Sequence, residues 1–198
     1  MAYSMDPLTA DCYPGTAVLI NKLGIRIDSE LAEAEVEIVS VRIAEWSRAP
    51  LVTTFDFEHY KMIHRYLFGD LYNWAGQTRT VNIAKKGTLF CPAEKIEGRG
   101  KLVFDRLKRL NYLRGMEHSG FVEELVDFYC STNELHPFRE GNGRTQRVFL
   151  SQLARNAGYS LNFSEIGGDL LMIATIQSAQ GVRDLLKQVL DDAIQPIE

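Results

Sequence analysis

Apolar residues recur at helical spacing in seven stretches of the chain, separated by polar or glycine-containing segments. Asp28, Asp56 and Ser119 each precede the first apolar positions of a stretch, where side-chain caps commonly start helices. Pro137 disfavours the helical conformation at His136, so the fourth helix should end there. The predicted helices cover about residues 28–47, 56–67, 93–113, 119–136, 144–158, 165–177 and 182–194.

Residues 78–91 depart from the helical pattern. Val81 and Ile83 alternate with polar neighbours, Leu89 lies in a second alternating run, and Lys85-Lys86-Gly87 between them is a turn signal. This is the only hairpin that the sequence predicts. The expected fold class is therefore mainly α, a helical bundle with one β-hairpin.

Length and charge narrow the class of protein further. The chain has 198 residues and 45% hydrophobic content, which favours a single domain over residues 1–198 with a substantial core. The formal charge of −4 argues against direct nucleic-acid binding, because such proteins present a basic surface. No apolar run approaches membrane-spanning length, so no membrane association is predicted. The tail after Ala193 is expected to fray.

The cysteines and two of the histidines show no metal or disulfide pattern. Cys12, Cys91 and Cys130 are odd in number and widely spaced, which favours a reducing cytoplasm. The N-terminus lacks a secretory signal pattern, although delivery by a dedicated secretion system stays open. His59 and His64 lack metal-spaced partners, and we interpret them as core or surface histidines.

The densest chemistry lies in one run, residues 136–147, between the fourth and fifth predicted helices. A helix N-terminus offers unpaired N–H groups and the positive end of the helix dipole. Gly141 and Gly143 allow backbone conformations closed to other residues and a close approach to a ligand, so they suit phosphate oxygens. Arg144 and Arg147 lie three residues apart, and both could reach a polyphosphate.

Two further residues of this run carry specific chemistry. Glu140 is a hard oxygen ligand of the kind that Mg²⁺ uses together with substrate phosphates. His136 can act as a general base near neutral pH. Each residue alone has an ordinary explanation: a capping histidine, a solvated glutamate, a turn or a surface pair of arginines. Their combination in one register predicts a site that holds Mg²⁺ and a nucleotide phosphate chain beside a base.

The run also resembles the signature of Fic domains, His-x-Phe-x-(Asp/Glu)-Gly-Asn-Gly-Arg-x-x-Arg, and matches every specified position. Two other stretches resemble bacterial Fic proteins: Tyr13-Pro14-Gly15-Thr16 with Val18, Leu19 and Asn21, and the block from Leu67 to Arg79. The resemblance covers about residues 13–160 well and the remainder loosely. It implies the helical Fic fold.

The resemblance also implies an activity, the transfer of AMP from ATP to a Tyr, Ser or Thr hydroxyl of a target protein. His136 would be the base, Glu140 would hold Mg²⁺, and Phe138 would anchor the loop on the core. The nucleotide phosphates would be bound by Gly141, Asn142, Gly143, Arg144 and Arg147. The hairpin at about residues 78–91 would be a flap that holds the target segment by strand addition, through Val81, Asn82, Ile83, Lys85 and Lys86.

Partners follow from the same resemblance. Similar stand-alone Fic toxins modify the B subunits of DNA gyrase and topoisomerase IV, which makes these candidate targets. Many Fic proteins are inhibited by a helix bearing Ser/Thr-x-x-x-Glu-Gly/Asn, whose glutamate pairs with the second arginine, here Arg147. The nearest match is Ser29–Ala34, where Ala34 replaces the Gly or Asn, and we interpret it as an ordinary helix start. A small antitoxin is therefore expected to supply the inhibitory glutamate.

Three alternatives stay open at this point. A related kinase-type toxin, of the death-on-curing branch, carries Lys where this chain has Gly143, which argues against terminal phosphate transfer. Other Fic proteins transfer UMP, CMP or phosphocholine, and the loop does not distinguish these, because it contacts phosphates and not bases. A non-catalytic nucleotide-binding or interaction module is the alternative from another class, but both His136 and Glu140 are present.

Overall fold

The computed structural model of the protein describes residues 11–48, 54–85 and 88–197. Helices dominate it, as the hydrophobic pattern predicts. The α-helices are α1 (Asp28–Ser47), α2 (Phe57–Phe68), α3 (Ile96–Arg109), α4 (His118–Leu135), α5 (Asn142–Asn156), α6 (Gly168–Ala179) and α7 (Asp184–Ala193). The strands are β1 (Ala84–Lys85), β2 (Thr88–Leu89), β3 (Tyr159–Leu161) and β4 (Ile194–Pro196).

The core is built around Phe149 of α5. Its ring centroid lies 5.4–5.7 Å from those of Phe55, Tyr60, Phe104 and Phe128, which come from the segment before α2 and from α2, α3 and α4. Such edge-to-face and offset contacts add to the large apolar area that each ring buries. Helix α5 is thereby fixed in the centre of the bundle, and the loop that precedes it has a rigid base.

The start of α2 and the end of α4 lie where a capping residue and a proline predict them. Asp56 caps α2, because its side chain accepts a hydrogen bond from the backbone N–H of His59 at 2.8 Å. Helix α4 ends at Leu135, one residue before the position that Pro137 restricts. None of the helices in the described ranges is long and apolar enough to cross a membrane.

The predicted helix over residues 93–113 is wrong in its extent. A 3₁₀ turn forms at Ala93–Lys95, α3 covers Ile96–Arg109, and a second short turn follows at Asn111–Leu113. Residues 111, 112 and 113 all have positive φ, between 52° and 62°, so the backbone leaves the helical conformation there. Leu113 lies beyond this break but is still fully buried. Its apolar character therefore extended the helical spacing in the sequence past the true end of the helix.

The hairpin is present but shorter than expected. Among the described residues, the paired positions are Ala84 with Leu89 and Lys85 with Thr88, in antiparallel register. Lys86 and Gly87, the centre of the predicted turn, lie outside the described residues. Val81, Asn82 and Ile83 precede the strand instead of belonging to it.

A second two-stranded sheet contradicts the expectation of a single hairpin and of a frayed tail. Strand β4 pairs antiparallel with β3, and Leu161 faces Ile194 across the ladder. Both of these side chains are buried, so the C-terminal segment is held by apolar packing as well as by backbone hydrogen bonds. Strands of three residues give little alternation, and their partners lie more than thirty residues apart without a turn signal.

Candidate active site

The signature loop occupies the gap between α4 and α5, as predicted. His136 has a left-handed backbone conformation, with φ of 41°, which turns the chain out of α4. Asn142, the first residue of α5, then closes the loop: its Oδ1 accepts from the N–H of Phe138 at 2.8 Å, and its Nδ2 donates to the Phe138 carbonyl at 2.7 Å. Because both polar atoms of the side chain are engaged with Phe138, Asn142 holds the loop closed, and its backbone N–H at the start of α5 faces the anion-binding position.

The two glycines of the loop have different roles. Gly141 has φ of 80°, and a Cβ there would lie 2.3 Å from Cζ of Phe68. Glycine is therefore required at position 141 for both conformation and space. Gly143 has no positive φ, so the expectation of an unusual backbone there is wrong. A Cβ on Gly143 would instead lie 3.3 Å from Nη1 of Arg147, inside the site.

His136 is almost completely buried, and its imidazole is held on two sides. Its Nδ1 lies 3.2 Å from the carbonyl oxygen of Asn133. A carbonyl only accepts, so Nδ1 carries the hydrogen and Nε2 carries the lone pair. The ring stacks on Phe90 with centroids 3.8 Å apart and planes 13° apart. Burial, followed by the nearby charges of Lys85 and Arg79, lowers the pKa of His136 to about 3, so the ring is neutral at physiological pH.

Arg79 connects the loop to the hairpin, a role that sequence reasoning missed. Its guanidinium donates to the carbonyl oxygens of His136, Val81 and Cys91 at 2.9, 2.7 and 2.5 Å, and its backbone N–H donates to Pro137. An arginine with only 5% of its surface exposed is uncommon unless its donors are satisfied. The signal was present, since Arg79 ends the second stretch that resembles Fic proteins.

His64 packs against the loop, and of the two interpretations that the sequence left open, core or surface, its complete burial favours the core. Its Nε2 lies 3.0 Å from the Glu140 carbonyl oxygen, and its Nδ1 accepts from the N–H of Gly76 at 2.8 Å. The imidazole stacks on Phe138 with centroids 3.8 Å apart. Phe138 is fully buried between this ring and that of Tyr60, and we propose that it anchors the loop on the core.

Glu140 and Arg144 have charged partners in the structure, whereas Arg147 differs from them. One Glu140 oxygen accepts from the Gly141 N–H at 2.8 Å and lies 3.5 Å from Nη2 of Arg144. Arg144 also contacts Glu35 of α1 at 2.5 Å, a residue to which the sequence analysis gave no role. Arg147 has no carboxylate within 4 Å among residues 11–48, 54–85 and 88–197, and burial lowers its pKa.

A pocket of about 520 Å³ opens beside these residues. The signature loop and α5 contribute His136, Glu140, Gly141, Gly143, Arg144 and Arg147 to its lining. Helix α6 and the segment before it contribute a mostly apolar set, Phe163, Ile166, Leu171, Met172, Thr175, Ile176 and Ala179. One cavity therefore combines groups that suit a polyphosphate with groups that suit an apolar ring system.

Of the predicted flap residues, Lys85 lines this pocket, together with Thr88 and Phe90 of the hairpin. Asn82 and Ile83 are engaged within the chain, and Lys86 lies outside the described residues. Asn82 accepts from the Ala93 N–H at 2.9 Å, and Ile83 is buried. The base of the hairpin is thus fixed to the body, while its strands lie beside the pocket.

A helical bundle that presents a glycine-rich loop at a helix N-terminus, a neutral histidine and an arginine without a carboxylate partner among the described residues is typical of a nucleotide-binding protein of the Fic type. The model of the Fic/DOC family matches residues 54–154. The chain belongs to the Fic/DOC family.

Curated relatives carry an activity in their names. The chain is 40% identical to the probable protein adenylyltransferase Fic of Salmonella typhimurium, over 92% of this chain and 90% of that protein. It is 38% identical to the protein adenylyltransferase VbhT of Bartonella schoenbuchensis, over 94% of this chain and 38% of VbhT.

Solved structures share the fold. The BepC protein of Bartonella tribocorum, a VirB-translocated effector with bound AMPPNP, has a TM-score of 0.89 and 29% identity, with 95% of this chain and 97% of that chain covered. The N-terminal Fic domain of a VirB-translocated Bep effector from Bartonella quintana, with bound ADP, has a TM-score of 0.90 and 28% identity, with 95% of both chains covered. The predicted helical Fic fold is therefore confirmed.

Proposed function

We propose that this protein is a protein adenylyltransferase, which transfers AMP from ATP to a hydroxyl group of a target protein. The observation that carries the proposal is one pocket lined both by His136, Glu140 and Arg147 and by the mostly apolar residues of α6, the apolar end. The relatives named protein adenylyltransferase, and the similar structure with bound AMPPNP, support the same substrate class. The apolar end suits the adenine ring.

The chemistry is a displacement at the α-phosphorus of ATP. The Nε2 lone pair of His136 accepts the proton of the Tyr, Ser or Thr hydroxyl, and the oxygen attacks the α-phosphorus. The bond to the bridging oxygen breaks, and pyrophosphate leaves. The ring is neutral before the reaction because burial lowers its pKa, and the phosphate charges of bound ATP favour the imidazolium that forms.

Phosphate binding falls to the loop and the start of α5. The backbone N–H groups of Gly141, Asn142 and Gly143 lie at the helix N-terminus, where the dipole favours negative charge. Arg147 is a half-buried cation with no carboxylate partner in the described part of the chain, so the γ-phosphate is its natural counter-ion. Arg144 holds the β-phosphate with the donors that its carboxylate contacts leave unused.

The residues present fit a Mg²⁺ ion that arrives with ATP. One Glu140 oxygen is engaged by Gly141 and Arg144, which leaves the other oxygen as a ligand. The described residues contain no cluster of three His, Cys, Asp or Glu side chains that could hold a resident metal. One carboxylate plus substrate phosphates is a common Mg²⁺ environment. The ion, once bound, would neutralise charge on the α- and β-phosphates.

The hairpin would present the target. Lys85 lies beside the pocket, and a target segment could add as a strand to the short β1–β2 ladder. The B subunits of DNA gyrase and topoisomerase IV are the candidate targets that the family resemblance suggests.

A small antitoxin would restrain the enzyme. Glu33, in the nearest match to the inhibitory pattern, is exposed on α1, and no contact joins it to Arg147. A glutamate supplied in trans could pair with Arg147 and displace the γ-phosphate. We expect the isolated chain to be active, and Glu33→Gly to leave target modification unchanged. Strong activation by Glu33→Gly would place the inhibitor inside this chain.

The deciding experiment is mass spectrometry of each candidate target after incubation with the purified chain, Mg²⁺ and one nucleoside triphosphate at a time. We expect the mass increase of one AMP on a hydroxyl side chain with ATP, and none with His136→Ala. A mass increase that corresponds to one phosphate, one UMP or one CMP would show that a different group is transferred and would contradict the proposal. In a parallel incubation with CDP-choline, a mass increase of one phosphocholine would contradict it in the same way.

A further inference from the structure

A buried glutamate on α1 lies behind the signature loop. The apolar face of α1 presents Leu31, Glu35 and Val39 at successive turns, and all three are buried. Glu35 therefore occupies a position where the pattern of the helix expects an apolar residue. Only 8% of its surface is exposed. A buried carboxylate is destabilising unless both oxygens find partners.

Both oxygens of Glu35 do find partners. Oε1 accepts a hydrogen bond from the hydroxyl of Tyr72, which is itself buried. Oε2 accepts from Nη2 of Arg144 at 2.5 Å, across 109 residues of sequence. Burial and the adjacent carboxylate raise the pKa of Tyr72, so its hydroxyl stays a donor.

Arg144 is held by three contacts at once. Its Nη2 also lies 3.5 Å from Oε1 of Glu140, and its guanidinium lies over the ring of Phe68 at 4.7 Å from the centroid. The two carboxylate contacts both use Nη2. Nε and Nη1 have no partner in the described ranges, and Arg144 lines the pocket. The free donors of Arg144 are therefore oriented by the contacts of Nη2.

We propose that Glu35 is a positioning residue for nucleotide binding, which with the Tyr72 hydroxyl fixes Arg144 so that its remaining donors meet the phosphate chain. The inference rests on the proposed nucleotide site. Simple packing does not account for Glu35, since an apolar residue at this position would avoid the burial of a charge. An arginine held in this way also loses less conformational freedom when the nucleotide binds.

The test is a double-mutant cycle on nucleotide affinity, which needs no transfer reaction. Calorimetry with Mg²⁺ and a non-hydrolysable ATP analogue compares the wild type, Glu35→Gln, Arg144→Ala and the double variant. We expect Glu35→Gln to weaken binding by about tenfold, as for a lost charge-assisted hydrogen bond. In the Arg144→Ala background, Glu35→Gln should cause no further loss, because Glu35 acts through Arg144.

Two controls keep the result specific. Glu37→Gln changes an exposed glutamate of the same helix and should leave affinity unchanged. Glu35→Leu restores the apolar pattern of α1, and it should keep the fold, measured by circular dichroism, while affinity falls as in Glu35→Gln.

Unchanged affinity in Glu35→Gln, or an equal loss with and without Arg144, would overturn the proposal. The proposed function is tested separately by AMP transfer in the wild type. If calorimetry showed that Glu35 and Arg144 are coupled in nucleotide binding but the wild type transferred no AMP, the proposed function would be wrong. The positioning role of Glu35 in nucleotide binding would still stand.

Discussion

His64 gives the sharpest test of how the loop is supported, because its two hydrogen bonds require a neutral ring. The Glu140 carbonyl can only accept, so Nε2 must carry the hydrogen, and Nδ1 must then accept from the Gly76 N–H. Protonation would place a second N–H at Nδ1, against the N–H of Gly76. Burial, with a smaller contribution from the nearby Arg144 charge, lowers the pKa of His64 to about 3.

The consequence for stability has a definite sign. The pKa of His64 is lower in the folded protein than the ordinary value of 6.5, so the unfolded chain takes up the proton first as the pH falls. The stabilisation is complete above pH 6.5 and is lost progressively between pH 6.5 and about 3. Between pH 7 and 5, linkage makes this loss about 2 kcal/mol for His64 alone.

The perturbation is His64→Phe, which keeps a ring between Phe68 and Phe138 but removes both hydrogen bonds and the titration. At pH 7 the variant should be less stable by about 2–4 kcal/mol, because it leaves a buried donor and acceptor unpaired. Urea unfolding followed by circular dichroism, in EDTA and without nucleotide, measures the free energy of unfolding at pH 7 and 5. The variant should lose about 2 kcal/mol less than the wild type over that interval.

The comparison has a matched control in His118→Phe, since the His118 side chain is 41% exposed and contacts neither the loop nor its support. The buried His59 and His136 are present in every protein of the series, so their contributions cancel. If the wild type and His64→Phe lost the same free energy of unfolding between pH 7 and 5, the reasoning about a required neutral ring would be refuted.

Three further predictions concern the reaction. His136→Ala should lower AMP transfer by about 10²–10⁴-fold, since it removes the base, while calorimetry shows nucleotide binding largely intact; wild-type transfer would remove the assignment. Glu140→Ala should abolish Mg²⁺-dependent activity, and unchanged Mg²⁺–ATP affinity by calorimetry would place the metal elsewhere. Shortening the hairpin tip at 85–87 should reduce target modification, scored by mass spectrometry, more than nucleotide affinity; equal loss of both would make the hairpin structural.

Sequence predicted those parts of the site that local signals determine. Pro137 ends α4, Gly141 permits a positive φ, and the apolar stripe of α5 places the loop at a helix N-terminus. Each of these effects acts within a few residues of its cause. The position of the loop between two helices and the mainly α fold were therefore accessible from the sequence, whereas the expectation for Phe138 came from the family resemblance.

Contacts between residues far apart in the chain could not be predicted from the sequence. The β3–β4 sheet joins Leu161 to Ile194, and Arg79 reaches the His136 carbonyl across 57 residues. No spacing rule connects such positions, because the packing of several helices brings them together. Glu35 is a further example, because apolar and polar residues are mixed around α1 and the sequence does not show which face is buried. Only the fold shows that Glu35 is buried and that Arg144 is its partner.

The two arginines of the signature illustrate what the fold adds. Arg144 and Arg147 lie three residues apart on one helix and have the same chemistry, so sequence reasoning assigned both to the phosphates. The surroundings make them different: Arg144 lies between Glu35 and Glu140, whereas Arg147 has no carboxylate partner in the described part of the chain. An incoming glutamate from a partner protein would therefore compete with the nucleotide at Arg147 and not at Arg144. If both proposals hold, the residue at which a partner inhibits the enzyme and the residue that Glu35 positions are separated by one turn of α5.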